Sequence, residues 1–181
     1  AVTGQGFFTA IQGDNIEDPY FTRDGSFNIT ADGNVVTNDG LSVMGFLAND
    51  EGVITETTIE NLIIPTSRTN LDNTTSIISN INVNARGKIT ATYGLDTEVV
   101  IGNFALSKFT NEPGLNPVGN NRYKYNAKSG APSFGTAMQG SFGNIEAGNL
   151  ERSNVDITME MVKMLKTQQA FTGVSRLLQT E

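Results

Sequence analysis

Apolar and polar positions alternate in short runs through the first 149 residues, and then the period changes. Within residues 26–30, Phe27 and Ile29 alternate with Ser26, Asn28 and Thr30, the period-two pattern of a half-buried strand. Val35 and Val36, then Val43 and Phe46, supply the next apolar positions. Asp24-Gly25, Asp32-Gly33 and Asp39-Gly40 punctuate these runs as hairpin turns would, each with a glycine able to reach positive φ. Residues 1–48 therefore predict a β-meander. The run ending near Pro65 reads as a strand, residues 66–84 as extended or crossing chain, and Lys88–Tyr93 as a further strand. The stretch around Gly102 reads as a strand pair. Glycine and proline crowd residues 111–148, which predicts packed loops leading onward rather than long strands.

From Leu150 the period becomes helical. Ser153 is a favoured N-cap, and Asp156 three positions later completes a capping-box-like pair. Asp156 and Glu160 fall early and Lys163, Lys166 and Arg176 late, which suits the helix dipole. Ile157, Met161, Met164, Gln168, Phe171, Ser175 and Leu178 follow the 4-3 spacing of a coiled-coil seam. Gln168 and Ser175 weaken that seam, while Leu165, Val174 and Leu177 widen the apolar face. Gly173 costs roughly 1 kcal/mol relative to alanine, so the segment needs neighbours to be fully helical. A helix over 153–179 would span about 40 Å.

The fold these patterns predict is mainly β with one long C-terminal helix. A β-rich core domain occupies 1–149 and an amphipathic, coiled-coil-like helix occupies 150–181. A lone helix has no helical partner in its own chain. It either lies along the β part or packs on other copies, and its spacing, length and terminal position favour other copies.

Composition narrows the chemistry. The 181 residues carry 12 basic and 19 acidic side chains, net −7. Residues 150–181 hold four of each, so the excess negative charge sits on the β part. An acidic surface without a basic, aromatic-interleaved patch argues against nucleic-acid binding. Cysteine, histidine and tryptophan are absent, which excludes a disulfide framework, a Cys/His zinc site and a histidine general base. The most apolar stretch, residues 41–48, is far short of the ~20 residues that span a bilayer, so no membrane insertion is expected. Ala1 begins mid-pattern without an initiator Met or signal peptide, as expected of an excised fragment.

No constellation points to catalysis. Residues 4–9, "GQGFFT", open like a dinucleotide fingerprint, but Thr9 stands at the third glycine position and no helical pattern follows; a turn into a strand fits better. Asp14, Glu17 and Asp18 lack calcium-loop spacing and read as an acidic turn before Pro19. Asp32, Asn34 and Asp39 are turn residues. Serines are plentiful, but no histidine and no S-x-x-K motif exists to activate one. Tyr123 and Tyr125 alternate like one strand face; stacking on a sugar is the functional reading and packing the simpler one. No cofactor or metal is implied.

Three segments resemble the bacterial flagellar axial proteins, the hook, the rod and their relatives. Gly4, Gly6, Phe7 and Phe8 match the family's G-x-G-F-F, and Tyr20, Arg23, Gly25 and Phe27 match its Y-T-R-x-G-x-F hairpin region. Residues 101–132 are similar to its G-L-x-x-x-G-x-N-x-Y…S-G-x-P stretch. Residues 150–171, with Asn154 and Val155, resemble the signature L-E-x-S-N-V-D and the helix after it, although Gln169 and Phe171 stand where the family usually has Arg and Tyr.

Within that family the hook protein looks nearest. Residues 61–85 and 87–94 resemble the two hook passages that flank an outer domain, here meeting directly, so an outer domain would be deleted or naturally absent near 85–88. The distal rod protein is the alternative. The resemblance implies a structural subunit, not an enzyme, that stacks into a helical tube with its terminal helices inside and its β domain outside. It also implies export by the flagellar type III route to the hook or basal body. The partners it implies are copies of the chain itself, the rod, hook–filament junction proteins and a hook cap. A more remote reading, from a different class, is a glycan-binding β module.

Overall fold

The computed structural model describes residues 1–13, 15–49, 52–54, 58–69, 75–94, 97–149 and 157–178. The chain divides into two compact units, Ala1–Glu151 and Arg152–Glu181. It is mainly β, with one C-terminal helix.

The first unit contains, in chain order, β1 (Val2–Thr3), β2 (Phe7–Ile11), β3 (Tyr20–Thr22), β4 (Phe27–Ile29), β5 (Val35–Thr37), β6 (Ser42–Leu47), β7 (Glu60–Asn61) and β8 (Ser67–Thr69). There follow β9 (Thr75–Val83), β10 (Lys88–Tyr93), β11 (Thr97–Phe104), β12 (Leu106–Lys108), β13 (Asn116–Gly119), β14 (Arg122–Lys124), β15 (Ser133–Gly135) and β16 (Asn144–Ile145). A 3-10 turn covers Glu112–Gly114. The main path runs β13-β14-β3-β2-β6-β11-β10-β9-β8, with antiparallel pairing throughout. β12 joins β2 to β15, β5 joins β4 to β6, and β1 pairs with β16.

One turn chemistry recurs four times. Thr30, Thr37, Asn49 and Asn84 each stand three residues before a glycine with φ of 86°, 79°, 77° and 77°. In each case the glycine N–H donates to the carbonyl of the first residue, whose own N–H donates to the carbonyl four residues on. The N–H four residues on is then capped by the side-chain oxygen of that first residue, at 2.8–3.1 Å. This is the three-residue hairpin loop with its left-handed glycine. At Gly33 the backbone itself requires glycine: a Cβ there would stand 2.3 Å from Ile64 O.

Asp32-Gly33 and Asp39-Gly40 make hairpins as expected, but Asp24-Gly25 does not. β3 pairs with β2 and β14, and β4 pairs with β5. Asp24 instead accepts the Ser26 N–H on Oδ1 at 2.9 Å, and its own N–H donates to Thr22 Oγ1 at 3.0 Å. These local bonds turn the chain away from β3 and deliver Phe27 onto Phe8 and Phe104, with ring centroids 4.9 and 5.6 Å apart. Ile29, expected to be half-buried, is exposed. Gly102 does not split a strand pair either: β11 runs straight through it and the break falls at Ala105. A Cβ on Gly102 would meet Phe46 O at 2.4 Å, so its glycine serves close approach of β6 rather than a turn. Among the described residues, the segment expected as a strand before Pro65 holds β7 and single bridges, Asn34 with Ile63 and Ala48 with Ile54.

Because successive strand residues face opposite sides, Phe7 and Phe8 enter different cores. Phe8 joins Val35, Val43, Leu62, Ile64, Ile89, Phe104 and Leu106 in the larger one, whereas Phe7 joins Phe21, Phe109 and Leu115 with Tyr123 at its edge. The polar pair buried nearby is satisfied: Thr9 Oγ1 and Ser107 Oγ lie 2.8 Å apart, and Ser107 Oγ donates to Phe7 O.

The second unit contains the helix α1 (Ile157–Leu178), whose 22 residues extend about 33 Å. No described helix is long and apolar enough to cross a membrane.

Candidate assembly surface

The described apolar side chains of α1 are exposed. Ile157, Met161, Met164 and Phe171 are 69%, 55%, 56% and 75% exposed. Met159, Val162, Leu165 and Val174 are exposed as well, so the apolar surface is much broader than the seven-residue seam. Of the rest of that seam, Gln168 is exposed and Ser175 half-buried, while the side chain of Leu178 lies outside the described set. The cap residues Ser153 and Asp156, and the motif residues Asn154 and Val155, also lie outside it. Hydrogen bonding along the helix is local: Thr167 and Thr172 hydroxyls donate back to the carbonyls of Lys163 and Gln168. Lys163 pairs with Glu160 at 2.6 Å, an exposed i,i+3 contact worth little. Covering a large apolar side chain completely is worth about 1.5–3 kcal/mol. Eight exposed ones on a single helix therefore form a surface with a strong tendency to be covered.

The motif residues of the β unit do converge, as structural joints. Arg23 Nη2 donates to Gly4 O at 3.1 Å, lies 3.6 Å from Glu112 Oε2, and holds its guanidinium 4.8 Å from the centre of the Phe7 ring. Gly4 and Gly6 take φ of 102° and 134°, which turns the chain into the wholly buried β2. This is the turn-into-strand geometry expected of residues 4–9, with no phosphate-binding helix after it. Gly25 lies against the Ala1 backbone. Tyr20 is flanked by Arg122 at 5.3 Å and Lys124 at 4.5 Å, and these two bases pair with Asp39 and Asp18 respectively. The hydrogen bond from Lys124 to Asp18 raises the ammonium pKa above its ordinary value. Asp14 lies outside the described residues.

Tyr123 and Tyr125 do not form a stacking platform. Tyr123 packs edge-on against Phe7 at 5.7 Å, and Tyr125 lies against Phe21 at 6.3 Å. Sequence reasoning missed a feature on the other face of the unit. An apolar groove of about 220 Å³ opens between the β4–β5 hairpin and the β9–β10 sheet. Its one sequence signal was Ile29, an apolar position that the alternation placed inside.

Comparison with known proteins addresses what such a pair of units belongs to. Residues 1–91 match the family described as flagellar hook protein FlgE/F/G D1 domain, and residues 146–181 match flagellar basal body rod FlgEFG protein C-terminal. The chain belongs to the flagellar hook and rod axial protein family. The flagellar basal-body rod protein FlgG of Agrobacterium fabrum is 31% identical over 181 residues, covering 99% of this chain and 59% of that protein. FlgG of Borreliella burgdorferi is 29% identical with the same coverage. The flagellar hook protein FlgE of Salmonella typhimurium is 33% identical over 99 residues, which is 55% of this chain and 25% of that protein. The chain thus spans 59% of the length of the rod relatives it matches.

Proposed function

We propose that this chain is the structural core of a flagellar rod subunit, a rigid segment of the drive shaft rather than of the flexible hook. The supporting observation is continuity. The FlgG alignments run 181 to 184 positions while covering 99% of the 181 residues, about 179, which leaves room for insertions of only a few residues in those relatives. A large outer domain inserted near 85–88 would interrupt such an alignment. Residues 84–88 instead form one of the four tight glycine turns, joining β9 directly to β10. The hook matches cover 55–57% of the chain, which favours the rod over the hook reading of the sequence.

On this reading residues 1–149 are a building block and residues 150–181 carry the docking helix. Contacts between unlike patches on identical subunits generate an open helical tube. The helix supplies the apolar patch, and the subunit reaches its place in the basal body through the flagellar type III route. Its partners are copies of itself and the axial proteins above and below. The test is to isolate hook–basal bodies from the source bacterium and locate the chain by gold-labelled antibody against the β unit. Label on the rod supports the reading. Label along the hook shifts it to the hook subunit, and absence from the particle rejects both.

A further inference from the structure

We infer, on the axial-subunit reading, that the methionines of α1 are a peroxide-modification site, and that sulfoxide formation there blocks docking of the helix. Cysteine, whose thiolate competes for peroxide, is absent from the chain, as is tryptophan, so two-electron oxidation falls on methionine. Of the five methionines, Met159, Met161 and Met164 fall within six residues of one another on the helix. They are 61%, 55% and 56% exposed, whereas Met44, inside β6, is 2% exposed. Met138, in the loop between β15 and β16, is exposed as well. Oxidation follows access, because the thioether sulfur must meet the oxidant directly. A sulfur lone pair attacks one peroxide oxygen, the O–O bond breaks, and the second oxygen leaves as water after proton transfer. Sulfur loses two electrons and the peroxide gains them.

The modified atoms lie where docking needs apolar surface. Met161 and Met164 stand about 60° apart around the helix, on one side of it. Ile157 and Leu165, four residues before and after Met161, share that side. Two of these four large side chains are therefore oxidisable. Oxidation turns a flexible apolar side chain into a polar one, and the change is reversed by thiol-dependent sulfoxide reduction. Covering a sulfoxide without a hydrogen-bond donor weakens docking roughly tenfold or more. Docking in turn shields the same sulfurs, so the site is open in the free subunit and closed in the assembled one.

The test treats the 181-residue chain with hydrogen peroxide and follows each methionine by peptide mass spectrometry. Met159, Met161 and Met164 should be oxidised well before Met44. Sedimentation velocity over a concentration series then compares treated with untreated protein. Untreated chains should associate, and treated chains should need roughly tenfold higher concentration to do so. A triple variant, Met159→Leu, Met161→Leu and Met164→Leu, keeps the size and apolarity of the helix surface. Circular dichroism checks its folding, and it retains Met44 and Met138. Its association should survive the same treatment. Oxidation of Met44 as fast as the helix methionines would overturn the inference. So would association that persists unchanged once the helix sulfoxides have formed, or a triple variant that loses association on treatment as fully as the native chain. Failure of the axial-subunit reading looks different: untreated chains would stay monomeric at every concentration, and both would fall.

Discussion

Tyr93 is 1% exposed, yet its hydroxyl finds a partner, donating to Pro65 O at 2.7 Å. Burial pushes the phenol above its ordinary 10.0, with the nearby Arg68 charge opposing. A raised pKa means that the folded state holds the proton more tightly than the unfolded state. The contribution is therefore complete below pH 10.0 and is lost as pH rises through the folded value. Tyr93→Phe should lower stability by about 1 kcal/mol at neutral pH, because it removes the hydrogen bond to the Pro65 carbonyl. It should also flatten the alkaline limb. Urea unfolding of both proteins, at neutral pH and above 10.0, measures the two effects. At Gly33, alanine meets both a left-handed φ of 86° and the Ile64 carbonyl oxygen 2.3 Å from its Cβ, so Gly33→Ala should cost more than about 1 kcal/mol in the same assay. Gly40 has a similar φ and nothing within reach of a Cβ; its alanine variant should lose only the backbone part.

At the scale of elements, what the sequence revealed depended on whether the cause was local. Lys88–Tyr93 was legible because Ile89, Ala91 and Tyr93 alternate with Lys88, Thr90 and Thr92, and burial follows that alternation. The Asp32-Gly33 and Asp39-Gly40 turns were legible because their bonds close within five residues. Gly102 was misread because its reason is Phe46, more than fifty residues away, whose carbonyl leaves no space for a side chain. Ile29 was misread because β4 lies over an open groove, so alternation alone could not tell burial from exposure. On the helix, the 4-3 template found Met161 and Met164 but passed over Met159 and Val162, which lie off the seam and are equally open. Two predictions belong here. Gly173→Ala removes a mid-helix glycine and should raise helicity, with about 1 kcal/mol gained locally; far-UV circular dichroism reads it. Met164→Asp leaves the β unit untouched but should abolish concentration-dependent assembly in sedimentation velocity, at an unchanged melting temperature of the β unit.

For the whole molecule, the closed cores and the open apolar surface lie in different parts. The β unit closes its own cores, with Phe8 and Phe7 anchoring one each, and needs no partner to bury them. The helix does the opposite: it keeps methionine, leucine and phenylalanine side chains in the open. Such a division suits a subunit that is made as a folded block and then joined end to end. It also explains why the conspicuous sequence motifs, Gly4 to Phe8 and Tyr20 to Phe27, form joints rather than a chemical site: Arg23 ties the first to the second through Gly4 and Phe7.

Electron cryomicroscopy of the native axial structure containing this protein tests that division most directly. The account predicts α1 in the inner layer, with Met161, Met164 and Phe171 buried against neighbouring subunits and the β unit outside. An assembled structure in which those three side chains face solvent, or fold only onto their own β unit, would contradict it.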